Sequence, residues 1–405
     1  MEKTLKVGIL RETKIPPDPR VPLTPIQILA LGELYPFVQF FVQPSDIRSY
    51  TNEEYENLDI SLKEDLSDCD IMMGVKEVNK HALIPEKTYL FFTHVTKGQL
   101  HNRDLFRELA NKKIRLLDYE YLTTNTGERV VAFGRYAGIV GSYNGLRAIG
   151  LKTNRFKLEP PHKYHDLKEM WKSLRLIELN PGLKILVTGD GRVANGALET
   201  LNICNIARVK PEDFLIREFD GPVVCQIGPE YYARHKKGLK FDYKHFINYP
   251  DEYESAILPF TMVTDILITG HFWDPRSPVF FTGDDMKKTG FRISVIADIS
   301  CDVKGPVPST LRSTTISDPF YDYNPLLETE EPAFSRSGNI TVMAIDNLPG
   351  ELPRDASLDF GRQLMQNAMH DLLAEAKSPM IERATVLMYG KLTPQFSYLN
   401  DYLNG

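Results

Sequence analysis

One stretch between residues 184 and 201, KILVTGDGRVANGALETL, constrains the fold of this chain more than any other. Four residues typical of a buried strand run into Gly189-Asp190-Gly191, and apolar residues at helical spacing follow them. In a strand, glycine turn and helix of this kind, the backbone turns sharply and the helix N-terminal amides point at a phosphate. Ala194 takes the third small position of the G-x-G-x-x-G/A pattern. The stretch predicts a dinucleotide-binding unit, although similar turns also occur without a ligand.

Length, charge and cysteine usage narrow the class of protein. The 405 residues exceed a usual single core, so we expect two domains. The net charge of -6 argues against nucleic acid and anionic membranes as partners, and no apolar run is long enough to predict a membrane span. The N-terminus runs into a strand without the apolar core of a signal peptide. Four scattered cysteines without a C-x-x-C motif favour a reduced cytoplasmic protein, and predict neither a metal site nor a disulfide framework.

Short apolar segments recur in the first third of the chain, with helix candidates between some of them. The predicted strands are residues 7–10, 38–42, 70–75, 89–93 and 114–119. Thr24-Pro25 predicts the start of a helix and Gly32 its end, and residues 97–111 predict a second helix. Strands that alternate with helices indicate a parallel sheet with crossover connections.

Several charged side chains follow the predicted strands directly. Arg20 comes after the first strand, Lys76 after the third, His94 after the fourth and Glu120 after the fifth. The carboxyl ends of parallel strands lie at one edge of a sheet, where ligands bind, so we expect these residues to converge. A lysine whose pKa is lowered by burial can exchange protons beside a histidine and carboxylates, and an arginine fork suits a substrate carboxylate. For any one of these residues alone a solvated loop charge is the favoured interpretation, and only the set together favours an active site.

Residues 129–150, RVVAFGRYAGIVGSYNGLRAIG, join the two halves of the chain. Val130, Val131 and Phe133 predict the continuation of an apolar strand. Glycines at helical spacing follow and favour a closely packed helix that crosses between domains.

Several stretches, spread in order over nearly the whole chain, carry a resemblance to known proteins: RETKIPPDPRVPLTP (11–25), GVKEV (74–78), LFFTHVTKGQ (90–99), RLLDYEYL (115–122), RVVAFGRYAG (129–138), TGDGRVANGA (188–197), ITGHFWD (268–274), ADIS (297–300), STTISDPF (313–320) and AIDNLPGELPRDAS (344–357). In these stretches the sequence resembles the lysine-forming saccharopine dehydrogenases and, more strongly, the lysine–ketoglutarate reductase half of aminoadipic semialdehyde synthase. Both belong to the alanine dehydrogenase and transhydrogenase superfamily.

The resemblance implies an NAD(P)-dependent oxidoreductase that interconverts saccharopine with L-lysine and 2-oxoglutarate, by hydride transfer to or from an imine. It assigns the acid/base roles to Lys76 and His94, which the strand-end argument also selects, and places Glu77 and Glu120 beside them as carboxylates. Arg20 and Lys14 match positions that hold a substrate carboxylate. Arg135 departs from the family, whose members carry an aromatic or neutral polar residue there. It is either an extra substrate-binding cation or a surface arginine at a helix start.

In the second domain the resemblance and the glycine turn together predict a set of cofactor-binding residues: Gly189, Asp190, Gly191, Arg192, Val193, Ala194, Asp298, Asp346 and Asn347. A ribose-binding acid is expected about 20 residues beyond the turn, where Glu212-Asp213 instead reads as a helix start. The basic cluster 234–237 could bind a 2′-phosphate, although a solvated loop is the favoured interpretation. The choice between NAD and NADP stays open. Residues 151–183 predict an exposed loop and helix, and their histidines lack a third metal ligand.

The predicted fold is α/β, with two Rossmann-like domains of parallel sheets and a ligand cleft between them. The first domain is discontinuous, residues 1–135 plus 348–405, and residues 136–347 form the NAD(P)-binding domain. The C-terminal part is expected to return as helices with an apolar stripe at Leu364, Met365, Met369, Leu372 and Leu373. Alternatives are an alanine-dehydrogenase-like enzyme, another opine-type amino-acid dehydrogenase, and a non-catalytic NAD(P)-binding protein. We also expect small-molecule substrates, a cytoplasmic location and assembly as a homo-oligomer.

Overall fold

The structure is a computed structural model that describes residues 4–374 and 377–405. It divides into two compact units. Unit 1 comprises Met1–Phe133 and Pro353–Gly405, and unit 2 comprises Gly134–Leu352. Among the described helices, none combines the length and apolar character that a membrane crossing requires.

Strands and helices alternate along most of the described chain. The strands are β1 (Leu5–Ile9), β2 (Val38–Val42), β3 (Ser61–Leu62), β4 (Ile71–Met73), β5 (Thr88–Phe91), β6 (Arg115–Asp118), β7 (Lys184–Thr188), β8 (Ala207–Arg208), β9 (Val223–Ile227), β10 (Ala233–His235), β11 (Tyr253–Ser255), β12 (Ile266–Thr269), β13 (Val295–Asp298), β14 (Tyr321–Asn324), β15 (Thr329–Glu331), β16 (Ile340–Met343), β17 (Thr385–Met388) and β18 (Lys391–Leu392). The helices are α1 (Pro25–Leu34), α2 (Asn52–Glu56), α3 (Leu100–Asn111), α4 (Gly134–Thr153), α5 (Leu167–Leu174), α6 (Arg192–Ile203), α7 (Pro211–Ile216), α8 (Pro229–Tyr232), α9 (Tyr243–Asn248), α10 (Leu258–Thr261), α11 (Gly283–Met286), α12 (Pro353–Asn367), α13 (Met369–Leu373), α14 (Pro379–Ala384) and α15 (Asn400–Asn404).

Unit 1 is built on one mostly parallel sheet of order β18-β17-β6-β5-β4-β1-β2-β3. Strands β1 to β6 pair in parallel, which confirms the predicted parallel sheet. Thr24 and Pro25 start α1 as predicted, but the helix passes Gly32 and ends at Leu34. Buried aliphatic side chains of the central strands, such as Val7, Ile9 and Leu90, form the core.

Two details of unit 1 differ from the sequence prediction. Residues 130–133 form no strand, because Val130 donates to Leu122 O at 2.8 Å across a tight loop and α4 begins at once with Gly134. The C-terminal return is helical as far as Ala384, but β17 then pairs antiparallel with β6 before the chain ends in α15. The predicted apolar stripe is confirmed as core: Leu364, Met369, Leu372 and Leu373 are buried, and Met365 packs against them.

Unit 2 has its own sheet of order β15-β14-β16-β13-β12-β7-β9-β8. The six strands from β16 to β8 run parallel, and β14 and β15 add an antiparallel edge. Strand β7 lies at the centre, between β12 and β9, and every one of its residues is buried. The glycine turn therefore leaves the sheet from a central strand, where a dinucleotide site of this architecture lies.

Candidate active site

The charged residues predicted from strand ends lie on one rim of unit 1. Lys76 follows β4, His94 follows β5 and Glu120 follows β6, and these three strands are neighbours in the parallel sheet. Arg20 follows β1, which pairs with β4 on its other side. The parallel register thus brings the four segments to the same sheet edge.

Glu77 connects His94 and Lys14. His94 Nδ1 lies 2.6 Å from Glu77 Oε1, and Lys14 Nζ donates to Glu77 Oε2 at 2.9 Å. Burial opposes the charge of Glu77, but the hydrogen bonds from His94 and Lys14 outweigh it and lower the pKa of Glu77 to about 2. Glu77 therefore stays a carboxylate and orients the imidazole, which leaves Nε2 as the nitrogen that can exchange a proton with a substrate.

Lys76 is half-buried and has a changed proton affinity. Burial and then the charge of Arg20 lower the pKa of Lys76 to about 8, against opposing contributions from Asp18 and Glu77. An amine with such a pKa holds a proton near neutral pH and can also release it. Lys76 therefore has the proton affinity of a general acid or base.

Glu12 fixes the backbone that carries Lys76. Its side chain is buried, and its two carboxyl oxygens accept the amides of Val75 at 2.6 Å and Lys76 at 2.9 Å. Burial raises the pKa of Glu12 to about 8. Glu12 is therefore a positioning residue, because its hydrogen bonds fix the backbone from which the Lys76 side chain projects.

Arg20 is engaged by a carboxylate of its own segment. Arg20 Nε and Nη2 donate to the two oxygens of Asp18 at 2.9 and 2.5 Å, and both side chains are at most 3% exposed. The guanidinium carbon also lies 4.2 Å from the centre of the Phe133 ring. The charge of Arg20 lowers the pKa of Asp18 well below its usual range, against burial. The role of Arg20 as substrate anchor stays a prediction, since Asp18 takes two of its nitrogens.

A second buried carboxyl, Asp118, ties the ends of β5 and β6 together. Asp118 Oδ2 accepts the Thr93 hydroxyl at 2.5 Å and the Thr93 amide at 3.2 Å, and Oδ1 accepts the Glu120 amide at 2.8 Å. Burial raises the pKa of Asp118. His94 follows Thr93 in the left-handed conformation, with φ at 52°. One carboxyl thus holds the backbone beside two of the predicted catalytic residues.

Glu120 itself belongs to an ion-pair cluster. Its Oε1 lies 3.4 Å from Arg129 and 3.8 Å from Lys97, and its side chain is 11% exposed. Glu120 therefore adds a negative charge to the rim, beside the positive charges of Arg129 and Lys97.

The sequence reasoning did not select three residues that build this rim, namely Glu12, Asp18 and Asp118. All three lie within the stretches that carry the family resemblance, which was the available signal. Their roles depend on hydrogen bonds between segments distant in sequence or on full burial, and neither is visible in a pattern of charges.

Arg135 lies in unit 2 at the start of α4. Its Nε and Nη2 donate to the two carboxylate oxygens of Glu199 in α6, at 2.8 and 2.6 Å. The bidentate ion pair links α4 to α6 and neutralises the extra cation.

The glycine turn of unit 2 is built by close backbone contacts. Gly189 has a φ of 93°, and a Cβ on it would lie 2.6 Å from Gly270 O. A Cβ on Gly138 of α4 would lie 2.7 Å from Ala197 N, and one on Gly196 of α6 would collide with the Arg135 carbonyl. Gly191 caps the twelve-residue helix α6, and open space surrounds the position of its missing Cβ. The turn has the form of a dinucleotide turn, because Gly191 leaves open space at the N-terminus of α6, where helix amides can bind a phosphate.

The other predicted cofactor residues share this sheet edge. Thr188, Thr269 and Asp298 are paired across β7, β12 and β13, so the three strands end in one row. Asp298 is fully buried and accepts the hydroxyls of Thr269, Ser300 and Thr310 at 2.5–2.6 Å. Asp346 and Asn347 follow β16, the neighbour of β13. Asp298 organises the strand ends, and Asp346 is exposed beside them.

A group with metal-ligand spacing occurs elsewhere in unit 2. The ligand atoms of His235, His245 and Glu252 lie within 4.8 Å of one another. The amide of Lys237 donates to His235 Nδ1 at 3.0 Å, which assigns the proton of this ring to Nε2, 3.2 Å from Glu252. The proton then occupies the position of a metal, so the group is a hydrogen-bonded cluster between β10, α9 and the residue that precedes β11.

The chain is similar to several known proteins. Residues 8–140 match the family model of the alanine dehydrogenase/PNT N-terminal domain. The mitochondrial alpha-aminoadipic semialdehyde synthase of Mus musculus is 28% identical over 94% of this chain and 46% of its own length. The lysine-forming, NAD(+)-dependent saccharopine dehydrogenase of Yarrowia lipolytica is 27% identical over 96% of this chain and 97% of its own length.

Solved structures agree on the fold. An L-alanine dehydrogenase aligns over 98% of this chain with a TM-score of 0.64 at 14% identity, and a transhydrogenase from Sinorhizobium meliloti over 96% with a TM-score of 0.59. The chain spans about half the length of the aminoadipic semialdehyde synthases it matches. Over most of its length the chain is similar to aminoadipic semialdehyde synthase and to lysine-forming saccharopine dehydrogenase, and its α/β fold is similar to that of alanine dehydrogenase.

Proposed function

We propose that this chain is an NAD(P)-dependent oxidoreductase that interconverts saccharopine with L-lysine and 2-oxoglutarate. The observation that carries the proposal is Lys76, with its pKa lowered to about 8, on the same rim as a His94 oriented by Glu77. This arrangement suits a reaction that moves protons at an amine and a carbonyl. The names of the homologues supply the substrate class.

The proton steps can be assigned to the rim residues. Condensation requires the substrate ε-amine to lose a proton and the hydroxyl of the resulting carbinolamine to leave as water, which gives an imine. Lys76 and His94 exchange these protons, with Glu77 holding the imidazole in one orientation and Glu12 fixing the backbone of Lys76. Glu120 and its ion-pair partners set the charge of the rim.

Binding roles follow from the remaining cations and from the glycine turn. Lys14 and Arg20 are the candidates for holding substrate carboxylates, with Arg20 preoriented by Asp18. Gly189, Gly191 and the N-terminus of α6 would hold the pyrophosphate of NAD(P), which when bound supplies or accepts the hydride. The proposal also includes a cytoplasmic location, which the four free cysteines favour, and assembly as a homo-oligomer.

The experiment that tests the proposal is an assay of amine dependence. The oxidation of NADH and of NADPH is followed at 340 nm with 2-oxoglutarate and, in parallel, with pyruvate. Each oxo acid is tested with L-lysine, with another amino acid, with ammonium ion and without an amine. We expect oxidation only when lysine is present. Oxidation with ammonium and pyruvate but not with lysine would overturn the proposal in favour of an alanine-dehydrogenase-like enzyme, and oxidation only with another amino acid would favour a different opine-type enzyme.

A further inference from the structure

Helix α12, near the C-terminal end of the chain, forms hydrogen bonds to the backbone beside Arg20. The Ser357 hydroxyl is fully buried and accepts the amide of Val21, the residue after Arg20, at 2.9 Å. In the same helix Leu358 O accepts Gln27 Nε2 at 2.8 Å, which ties α12 to α1. A buried amide needs an acceptor, so the bond to Ser357 constrains the backbone from which the Arg20 side chain projects.

One turn further along α12, Phe360 stacks on Phe133. The two ring centroids are 4.3 Å apart, and the ring planes are inclined by only 7°. The guanidinium carbon of Arg20 lies 4.2 Å from the centroid of the same Phe133 ring. Gln363 of α12 hydrogen-bonds both the amide and the carbonyl of Ala132, at 3.0 and 3.2 Å, and so holds the backbone before Phe133. Phe360 therefore supports the aromatic surface on which Arg20 lies.

Phe360 also contacts the aromatic residues beside His94. Its ring centroid lies 5.8 Å from that of Phe92 and 5.0 Å from that of Tyr119. The Phe92 ring is nearly parallel to the His94 imidazole, with a centroid distance of 6.4 Å and an angle of 16° between the planes. These distances are typical of favourable aromatic pairs. One buried ring of α12 is thus in contact with the aromatic neighbours of both Arg20 and His94.

We propose that Phe360 and Ser357 are positioning residues, which hold Arg20 and His94 in the geometry that the proposed reaction requires. The inference rests on the proposed function, because Arg20 and His94 act on a substrate only in that reaction. Phe360 is fully buried, and close packing leaves its ring neighbours few alternative rotamers. A displacement of about 1 Å at a reacting group can lower the rate by about a hundredfold. The C-terminal return therefore positions the candidate site as well as filling the core.

The kinetic test compares Phe360→Leu with a matched core variant. Phe106→Leu makes the same change at another fully buried ring of unit 1, which lies in α3 and stacks on Tyr402 at 5.9 Å. With 2-oxoglutarate, L-lysine and reduced cofactor, we expect Phe360→Leu to lower kcat/KM by about 10- to 100-fold. Phe106→Leu should lose stability to a similar cavity but keep the wild-type kcat/KM. The Kd for NADH, which depends on unit 2, should stay constant in both variants.

A spectroscopic readout follows His94 without any turnover. Its ring resonances are recorded in protein with histidine-selective ¹³C labelling and are assigned with His94→Gln. They are sensitive to the ring current of Phe92, so a change in the packing of the two rings moves them. Phe360→Leu should shift the His94 resonances, whereas Phe106→Leu should leave them at the wild-type positions.

Ser357→Ala separates the two contacts of α12. It keeps the aromatic contacts and leaves the buried Val21 amide without its acceptor, so it should displace Arg20 alone. We expect the KM for 2-oxoglutarate to rise about tenfold, which corresponds to one hydrogen bond to a charged group. The kcat and the His94 resonances should stay at their wild-type values.

The outcomes distinguish this proposal from the proposed function. Equal effects of Phe360→Leu and Phe106→Leu on kcat/KM and on the His94 resonances would overturn the positioning role, as would an unchanged KM in Ser357→Ala. If Phe360→Leu does not fold, the KM of Ser357→Ala decides alone. A wild-type chain without lysine-dependent turnover would overturn the proposed function, while a shift of the His94 resonances in Phe360→Leu alone would still support the positioning of that residue.

Discussion

The proposed catalytic rim of unit 1 and the glycine turn of unit 2 are both built at the carboxyl edge of a parallel sheet, yet they are held by different forces. In unit 1, the buried carboxyls Glu12 and Asp118 bind backbone amides and fix the segments that carry Lys76 and His94. In unit 2, the missing side chains of Gly138, Gly189 and Gly196 allow backbones to touch. The comparison indicates that proton chemistry needs positioned charge, whereas phosphate binding needs exposed amides and space.

The largest effect should come from removing the proton-transfer groups. Lys76→Met combined with His94→Gln should lower kcat by about 10³-fold or more, since general acid–base catalysis contributes on this order. NADH binding, which depends on unit 2, should be retained in a fluorescence titration. The control is Lys80→Met, which removes an exposed lysine that pairs with Asp104. Turnover equal to that of the control would refute the catalytic roles.

The next effect concerns the stability of unit 2. Gly138→Ala should lower the free energy of unfolding by about 3 kcal/mol, because its Cβ collides with the Val193 carbonyl and overpacking of this kind forces α4 and α6 apart. Gly191→Ala has open space for its Cβ and should unfold like the wild type in denaturant, while binding NADH more weakly. Equal stability of Gly138→Ala and Gly191→Ala would show that close backbone contact does not hold the turn.

Removing the carboxyl that links β5 and β6 should affect stability and activity together. Asp118→Ala leaves the buried Thr93 amide without its acceptor, which should cost about 2 kcal/mol of stability. The backbone beside His94 loosens, so kcat should fall while the Kd for NADH stays constant. Asp118→Asn keeps one acceptor oxygen and should recover part of both losses. A full loss of kcat in Asp118→Ala accompanied by no change in stability would argue against this positioning role.

The smallest effect is a gain in stability. Burial lowers the pKa of Lys76 from 10.5 to about 8, so this lysine binds a proton more tightly in the unfolded chain than in the folded chain. The free energy of unfolding therefore rises with pH between those two values. Below pH 8 the buried positive charge of Lys76 lowers the free energy of unfolding by a constant amount. Lys76→Met should therefore be more stable than the wild type by about 1–2 kcal/mol at pH 7, and the gain should shrink above pH 8. Denaturant unfolding at pH 7 and pH 10 measures the difference, and a loss of stability at pH 7 would contradict it.

Strand-end reasoning predicted the rim of unit 1 well because its residues follow strands in simple parallel order. Lys76 and His94 could be selected without any coordinates, since the chain leaves β4 and β5 at the same edge. The same reasoning failed where order along the chain and order in the sheet differ, as at β8 and β9 or at the C-terminal strand β17. Partners such as Glu199 for Arg135 were also invisible, because a charge pattern does not reveal contacts between helices.

The most direct test of the proposed reaction is the identity of its product. The chain is incubated with 2-oxoglutarate, reduced cofactor and L-lysine labelled with ¹⁵N at the ε-nitrogen, and the products are analysed by mass spectrometry. We expect a compound with the mass of saccharopine that carries the label in its secondary amine, formed by the wild type and not by Lys76→Met with His94→Gln. A product without the label, or equal formation by the double variant, would contradict the proposed chemistry.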